Sequence, residues 1–232
     1  MRLVKLIANL GYGSRKEIQM AIRNGWVTDR EGNRLKADSK TANEDILFDD
    51  EPLDPAQGVV ILMNKPVGYT CSAKDQGRLV YDLLPDRFRM RKPALSTIGR
   101  LDKDTSGALL FTDDGTFLHK VISPKSNVPK VYEVVLDRPL KGNEADLFAS
   151  GEMMLESEDK PLKPAELEVL GETRARLTLH EGRYHQVRRM FAATGNHVNE
   201  LSRSHIGSLG LEGIEEGTWK VLSESDKARI FD

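Results

Sequence analysis

Residues 99–115 constrain the fold most strongly, because a polar loop, an apolar run and a turn follow one another within seventeen positions. The short apolar run 108–111 is bounded by turn residues, which is typical of a buried strand. An aspartate at position 113 or 114 can then cap a short helix over residues 116–122. The sequence therefore predicts a loop, a strand, a turn and a helix, with Asp102 on the loop that leads into the strand.

The acidic loop allows three interpretations. Asp102, Asp104 and Ser106 can simply satisfy backbone groups of a turn, as such residues commonly do. Their spacing, extended to Asp113, also matches a calcium-binding loop. Calcium is disfavoured because residues 96–99 are a poor entering helix and because an aspartate stands where a bidentate glutamate is preferred. The third interpretation is a catalytic carboxylate at Asp102.

The composition is that of a globular protein without a membrane span. The 232 residues are 39% hydrophobic and 30% charged, which suits a soluble chain of one or two domains. No apolar run is long enough for a membrane helix, and Lys5 interrupts an N-terminus that is too short for a signal-peptide core. We therefore expect a cytoplasmic protein. The single cysteine, Cys71, excludes an internal disulfide and a cysteine-rich zinc site, and we expect it to be a small buried side chain.

The charge is small overall but unevenly distributed. The formal net charge of −2 argues against a protein that coats nucleic acid through bulk positive charge. Residues 1–41 nevertheless contain nine Lys or Arg and four Asp or Glu, whereas residues 141–172 contain three lysines and nine acids. The basic N-terminal surface is either a solvated face or a surface that binds nucleic acid.

The N-terminal residues predict two short helices and a hairpin. Apolar residues recur at helical spacing over 3–10, and Ser14 with Glu17 forms the capping-box pattern of a second helix that ends at Gly25. The runs Gly-Ser-Arg-Lys-Glu-Ile and Ile-Arg-Asn-Gly-Trp-Val in this region resemble the S4 RNA-binding module. That resemblance implies RNA contacts from the basic helix faces. The predicted RNA-binding residues here are Arg2, Lys5, Ser14, Arg15, Lys16 and Arg23.

A proline- and glycine-bearing linker at 51–58 is the expected domain boundary, which divides the chain into residues 1–57 and 58–232. Beyond it, the apolar run 59–63 predicts a buried strand, and residues 129–136 alternate as a second strand. Val187, Met190 and Phe191 recur at helical spacing, and Gly195 is a natural stop for that helix. Three nearby histidines suggest a metal site, but the surrounding arginines and the absence of a thiolate disfavour it. These histidines are His180, His185 and His197.

Four motifs carry a second resemblance. Gly-Arg-Leu-Asp-x-Asp-Thr-Ser-Gly at 99–107 resembles the signature of the pseudouridine synthases. Asn-Lys-Pro-x-Gly at 64–68, Lys-x-Tyr-Glu-Val at 130–134 and the run 181–191 resemble the other motifs of that family, in the expected order. The resemblance implies that Asp102 is the catalytic carboxylate, that Tyr132 lies against the target base and that Arg188 pairs with Asp102. The RNA contacts predicted in this part of the chain are Asn64, Lys65, Arg100, Arg183, Gln186 and Arg203.

The resemblance spans nearly the whole chain. The chain is similar to the RsuA group, which modifies small-subunit ribosomal RNA. It implies an α+β fold: a small S4-like RNA-binding domain followed by a synthase domain with a mixed, mainly antiparallel sheet flanked by helices. The implied activity is isomerisation of a uridine to pseudouridine in 16S ribosomal RNA, without cofactor or metal. We expect a monomer that acts on ribosomal RNA, either free or in a partly assembled small subunit, and no membrane partner.

Two alternatives to this activity stay open. The first is a synthase that acts on large-subunit (23S) ribosomal RNA. The second, from a different class, is a noncatalytic S4-type protein that binds the ribosome or assists its assembly. The joint presence of Asp102, Tyr132 and Arg188 favours catalysis, because a protein that only binds RNA needs no carboxylate among arginines.

Overall fold

The computed structural model describes residues 2–72 and 75–232, and they form an α+β protein with two sheets. The N-terminal unit contains two helices and a three-stranded antiparallel sheet of order β1-β2-β3. Its elements are α1 (Leu3–Asn9), α2 (Arg15–Asn24), β1 (Val27–Asp29), a 3-10 turn (Asn43–Asp45), β2 (Ile46–Phe48) and β3 (Glu51–Pro52). Apolar faces of the two helices pack on the sheet around Leu3, Ile7, Ile18, Val27 and Ile46, which are all buried.

The predicted ends of α2 are confirmed. The Ser14 hydroxyl accepts a hydrogen bond from Glu17 N at 3.3 Å, and the Glu17 carboxylate accepts one from Ser14 N at 2.7 Å. Gly25 ends the helix in the left-handed conformation, with φ at 81°. The predicted hairpin is reduced to a single bridge between Thr28 and Arg34, because β1 pairs with β2.

The rest of the chain is built on an eight-stranded mixed sheet of order β11-β4-β6-β10-β7-β9-β8, with β5 beside β6. Strands β6 and β10 are parallel and the other pairs are antiparallel, so the predicted mixed, mainly antiparallel sheet is confirmed. Its strands are β4 (Val60–Lys65), β5 (Ser96–Ile98), β6 (Thr105–Thr112), β7 (Lys130–Leu136), β8 (Glu166–Gly171), β9 (Arg174–Leu179), β10 (Val198–Ile206) and β11 (Trp219–Val221). The helices are α3 (Asp86–Arg89), α4 (Gly115–Ile122), α5 (Glu144–Ala149), α6 (Gln186–Ala193) and α7 (Glu224–Arg229), and a 3-10 turn spans Val80–Leu83.

Successive side chains of each strand point to opposite faces of this sheet, so apolar clusters form on both of its sides. In β4, Val60 and Leu62 face a cluster that includes residues of α4 and the segment after α7, whereas Ile61 and Met63 face the opposite side. That opposite side carries two separate clusters, one packed under α3 and one under α5 and α6. Tyr132 packs against both of them, so a cleft between the two clusters opens over the centre of the sheet.

Polar contacts join the N-terminal unit to the sheet. Arg91 and Asp113 form a fully buried ion pair at 2.8 Å, and Arg91 also donates to the carbonyl groups of Pro55 and Ala56. Asp113 accepts further hydrogen bonds from the backbone of residues 58–59. The segment between β3 and β4 is therefore held against the end of β6. None of the helices in the described part of the chain is long and apolar enough to cross a membrane.

Candidate active site

A cavity of about 870 Å³ occupies the cleft over the sheet. Its walls come from the loop 98–103, from β7 and β10, and from the segment 182–188 that leads into α6. Asp102, Tyr132 and Arg188 all line it, so the structure brings together the three side chains that the sequence predicts for the catalytic site. The N-terminal basic residues do not line this cavity.

The loop that carries Asp102 is fixed from beneath by Lys65. This lysine is fully buried, and its ammonium group donates to the carbonyl oxygens of Thr105 at 2.7 Å, Pro66 at 3.0 Å and Asp102 at 3.1 Å. Burial lowers the pKa of Lys65 from its usual value, while the nearby acids oppose that change. The predicted RNA contact of Lys65 is therefore wrong, because a buried ammonium bonded to carbonyls cannot reach RNA.

The predicted pairing of Asp102 with Arg188 is also wrong. Arg188 pairs instead with Asp104, with Nη2 2.9 Å from Oδ2, and is held there by bonds to the carbonyls of Val198 at 2.8 Å and Asp104 at 3.3 Å. The side chain that faces Asp102 is His185, whose Nε2 lies 3.3 Å from Asp102 Oδ1. Asp102 is half-buried, so its carboxylate is accessible from the cavity.

Tyr132 lies on β7 opposite Arg203 of β10 and Leu177 of β9. Residues directly opposite each other in antiparallel strands project from the same face of the sheet, so Tyr132 and Arg203 share the cavity face. Arg203 is 4% exposed and donates through Nε to Ala108 O at 2.8 Å. Arg203 thus has an internal partner but also lines the cavity, and its RNA contact stays a prediction.

The run 181–188 is held together by its own side chains. Arg183 donates to Glu181 at 3.2 Å and Glu158 at 3.1 Å, and also to the carbonyl groups of two residues after Glu158. Gln186 is buried, accepts a bond from Arg183 N at 2.9 Å and donates to Glu181 at 3.0 Å. Arg183 and Gln186 thus form a scaffold, and the structure does not support the predicted RNA contacts for them.

Of the remaining predicted contacts in this part of the chain, Asn64 is internal and Arg100 is exposed. Asn64 donates its side-chain amide to Ile214 O at 3.0 Å, which ties β4 to the loop before β11 and corrects its predicted RNA contact. Arg100 borders the cavity with an exposed side chain. Cys71 is buried as expected, and burial raises the pKa of its thiol.

Sequence reasoning missed Lys130 and the role of His185. Lys130 lines the cavity, donates to Val128 O at 2.8 Å and has its pKa lowered to about 8, first by burial and then by the charges of Arg203 and Lys163. The lysine of the Lys-x-Tyr motif was the available signal for it. The sequence suggests His185 only as a possible metal ligand.

The N-terminal basic side chains are exposed on α1, α2 and the residue before α1. They are Arg2, Lys5, Arg15, Lys16 and Arg23. Arg23 also borders a groove of about 400 Å³ together with Arg34 and Lys36. Ser14 is exposed too, but its hydroxyl is engaged as the cap of α2.

The acids that suggested a calcium loop have separate partners. Asp102 faces His185, Asp104 pairs with Arg188, and Asp113 is buried against Arg91. Within residues 2–72 and 75–232, no three His, Cys, Asp or Glu side chains lie together as a metal site.

A half-buried aspartate on a fixed loop, with a tyrosine and basic side chains around one open cavity, defines an enzyme that acts on an anionic substrate. The model of the RNA pseudouridylate synthase family matches residues 59–193. The ribosomal small subunit pseudouridine synthase A of Escherichia coli strain K12 is 40% identical, with 99% of this chain and 100% of the relative aligned.

The Haemophilus influenzae protein of the same name is 40% identical with 99% of each chain aligned, and an uncharacterised RNA pseudouridine synthase of Bacillus subtilis is 36% identical with 97% and 96% aligned. A crystal structure of a pseudouridylate synthase superposes with a TM-score of 0.69 at 38% identity and covers 99% of both chains. The chain belongs to the RNA pseudouridylate synthase family.

Proposed function

We propose that this enzyme isomerises one uridine of small-subunit (16S) ribosomal RNA to pseudouridine, with Asp102 as the catalytic carboxylate. The observation that carries the proposal is the position of Asp102, accessible from a cavity that also contains Tyr132, on a loop fixed by the buried Lys65. The choice of RNA is supported by relatives of nearly equal length that are named for the small ribosomal subunit.

The reaction is an isomerisation, so no group is transferred to the nucleotide from another molecule. A uridine within structured RNA has to be flipped out before its glycosidic bond can be reached. Asp102 then acts as a nucleophile at the ribose or as a base on its 2′ proton, and the bond between N1 and C1′ breaks. The uracil rotates and C5 bonds to C1′, which breaks the bond between Asp102 and C1′ on the first route and is accompanied by return of the 2′ proton from Asp102 on the second. The proton on C5 is then released and N1 takes up a proton. The product is an isomer of the substrate.

Other side chains of the cavity support this reaction. Tyr132 offers its ring to the target base from the floor of the cavity. Arg188 holds the Asp102 loop through Asp104, so its contribution is to the position of the carboxylate. Arg100 is exposed beside Asp102 and is suited to bind the phosphate backbone of the opened RNA.

Residues 1–57 act in the same proposal as an S4-like RNA-binding domain. Exposed lysines and arginines on α1 and α2 neutralise phosphates and orient the RNA without reading its sequence. The enzyme works as a cytoplasmic monomer on ribosomal RNA, free or within a partly assembled small subunit.

Replacement of the catalytic carboxylate tests the mechanism. Asp102→Asn keeps the size of the side chain but removes its charge, so we expect no pseudouridine formation and a change in RNA affinity of less than about tenfold, or 1.4 kcal/mol. Tritium release from RNA labelled at uridine C5 measures the activity, and filter binding measures the affinity.

Asp104→Asn is the matched control in the same loop. Its amide oxygen can still accept a bond from Arg188, so we expect most of the activity to remain. Normal tritium release by the Asp102→Asn protein would remove Asp102 from the mechanism.

The choice of RNA is tested by mapping pseudouridines in a strain that lacks the gene. We expect one site to disappear from 16S ribosomal RNA and to return when the wild-type protein, but not the Asp102→Asn protein, is supplied. A complete 16S map with one site missing from 23S ribosomal RNA would identify the large-subunit RNA as the substrate.

A further inference from the structure

Tyr184 exposes an aromatic ring at the edge of the cavity. It is 72% exposed, which is the largest value among the exposed hydrophobic side chains of the described residues. Its ring stacks on that of His185, with centroids 3.9 Å apart and planes at 15°. One ring face is therefore covered by His185, while the other is available to a ligand.

The backbone under this pair is strained and firmly held. His185 has φ at 48° and ψ at 34°, in the left-handed region that is uncommon for residues other than glycine. Buried Gln186 follows it directly, and the bonds of Gln186 and Arg183 to Glu181 fix the turn on either side. Strain of this kind persists only where the surroundings enforce it, and it is concentrated at functional sites.

The pair also reaches the proposed catalytic group. His185 Nε2 lies 3.3 Å from Asp102 Oδ1, so the stack runs from solvent, through Tyr184 and His185, to the carboxylate. The His185 ring lies beside one carboxylate oxygen of Asp102 and leaves the second for the ribose. The motif that contains Arg183 and Gln186 thus builds a rigid support for two exposed rings.

We propose that Tyr184 is the stacking platform for the base next to the target uridine, and that His185 is a positioning residue that orients Asp102 beneath that platform. The inference rests on the proposed function of Asp102. The target base enters the cavity beside Tyr132, so the base on Tyr184 is one that remains at the edge. Flipping a nucleotide leaves its neighbour without a stacking partner, and an exposed aromatic ring restores one.

The platform is tested by RNA binding in the Asp102→Asn protein, with the 16S fragment in which the wild-type enzyme forms pseudouridine. Tyr184→Ala should weaken binding roughly fivefold to a hundredfold, the range for loss of one stacked base. Tyr184→Phe keeps the ring and should bind within about twofold of its parent. Val169→Ala, on the exposed edge strand β8 outside the cavity, is the control and should have no effect.

The RNA partner of Tyr184 is identified with abasic substitutions on either side of the target uridine. At one of these two positions, loss of the base should abolish the effect of Tyr184→Ala on RNA affinity, because the ring then has no base to stack on. Equal affinities of the Tyr184→Ala and Tyr184→Phe proteins, or a full effect of Tyr184→Ala on both abasic RNAs, would overturn the platform.

The positioning role of His185 is tested by the split between kcat and KM. His185→Ala should lower kcat by about tenfold or more, with KM within about threefold of the wild type. His185→Asn should recover part of kcat, because asparagine tolerates the left-handed conformation and retains an N–H donor for Asp102. Equal kcat values for both variants would overturn this role. A wild-type protein without tritium release from 16S ribosomal RNA would instead contradict the proposed function.

Discussion

Two lysines of the synthase motifs have opposite environments. Lys65 is buried, yet its ammonium group is surrounded by carbonyl oxygens that accept its hydrogen bonds. Lys130 donates to a single carbonyl, that of Val128, and lies near the positive charges of Arg203 and Lys163. The charged form of Lys130 is therefore poorly compensated, and its pKa falls to about 8.

This depressed pKa predicts how stability depends on pH. An unfolded lysine keeps its proton up to a pKa of 10.5, whereas folded Lys130 loses it near a pH of about 8. Between these values the unfolded state binds more protons, so the contribution of Lys130 to the free energy of unfolding rises with pH. The free energy of unfolding of the wild type minus that of Lys130→Met should therefore increase from about pH 7.5 to about pH 10 in urea titrations.

The control for Lys130 is Lys125→Met, an exposed lysine in the connection before β7. The difference in the free energy of unfolding between the wild type and Lys125→Met should be constant over the same range of pH. If the free energies of unfolding of the wild type and Lys130→Met changed in parallel with pH, the charge of Lys130 would not be poorly compensated.

Sequence reasoning identified the residues of the site better than their partners. The family resemblance of the motifs predicts that Asp102, Tyr132 and Arg188 share one site, and the three residues line one cavity. Local spacing assigns each of them only to a loop, strand or helix. Which carboxylate Arg188 contacts is decided by distances of a few ångströms between segments 84 positions apart. The RNA contacts predicted for Lys65 and Gln186 follow from the motifs that contain them, and only tertiary contacts reveal the partners that permit the burial of these polar side chains.

Strand β6 connects the loop that carries Asp102 to the centre of the sheet. It pairs with β4 along one edge, and along the other it runs parallel to β10 at residues 105–107 and antiparallel to β5 at residues 110–112. At Gly107 the backbone has φ at 103°, and a Cβ atom there would lie 2.2 Å from Arg203 O. The glycine of the Thr-Ser-Gly motif is thus required for the close approach of β10.

Gly107→Ala should therefore be strongly destabilising. Both the positive φ and the contact with the β10 backbone oppose a side chain, so we expect a loss of about 3 kcal/mol or more in the free energy of unfolding. Gly115→Ala is the matched control, because Gly115 lies in α4 without a positive φ and with open space around it. That change should be neutral or stabilising by up to about 1 kcal/mol. Equal urea midpoints for the two variants would contradict the steric argument.

The elements that the sequence predicted correctly have a clear local signal, such as a capping residue or apolar residues at helical spacing. Helix α4 is capped by Asp114 as expected, and Val187, Met190 and Phe191 form the buried face of α6. Strand β8 lies at the edge of the sheet with most of its side chains exposed, and its alternation of polar and apolar residues covers only residues 166–169. The order of the strands depends on pairings between distant segments, which no local pattern contains.

The N-terminal unit is attached to the sheet at a defined position. Tyr12 accepts a hydrogen bond from Asp54 N at 3.0 Å, and the Asp54 carboxylate pairs with Arg87 at the start of α3. Lys92 N also donates to Asn9 O at 2.8 Å. The N-terminal unit that carries α2 is consequently held in place against the segment around α3.

This arrangement predicts the salt dependence of binding. Joint replacement of Arg15, Lys16 and Arg23 by alanine removes three exposed cations of α2, so the slope of log K against log salt should become shallower by about 2 to 3. The turnover number at saturating RNA should stay within about twofold, because none of the three lines the cavity around Asp102. The matched control replaces Arg138, Lys160 and Arg174, which are equally charged and exposed outside that cavity. Filter binding from 50 to 300 mM salt, roughly the range in which released counterions dominate, compares the two proteins. A common slope for both triple variants would mean that the basic face of α2 is a solvated surface and that RNA is held by the synthase domain alone.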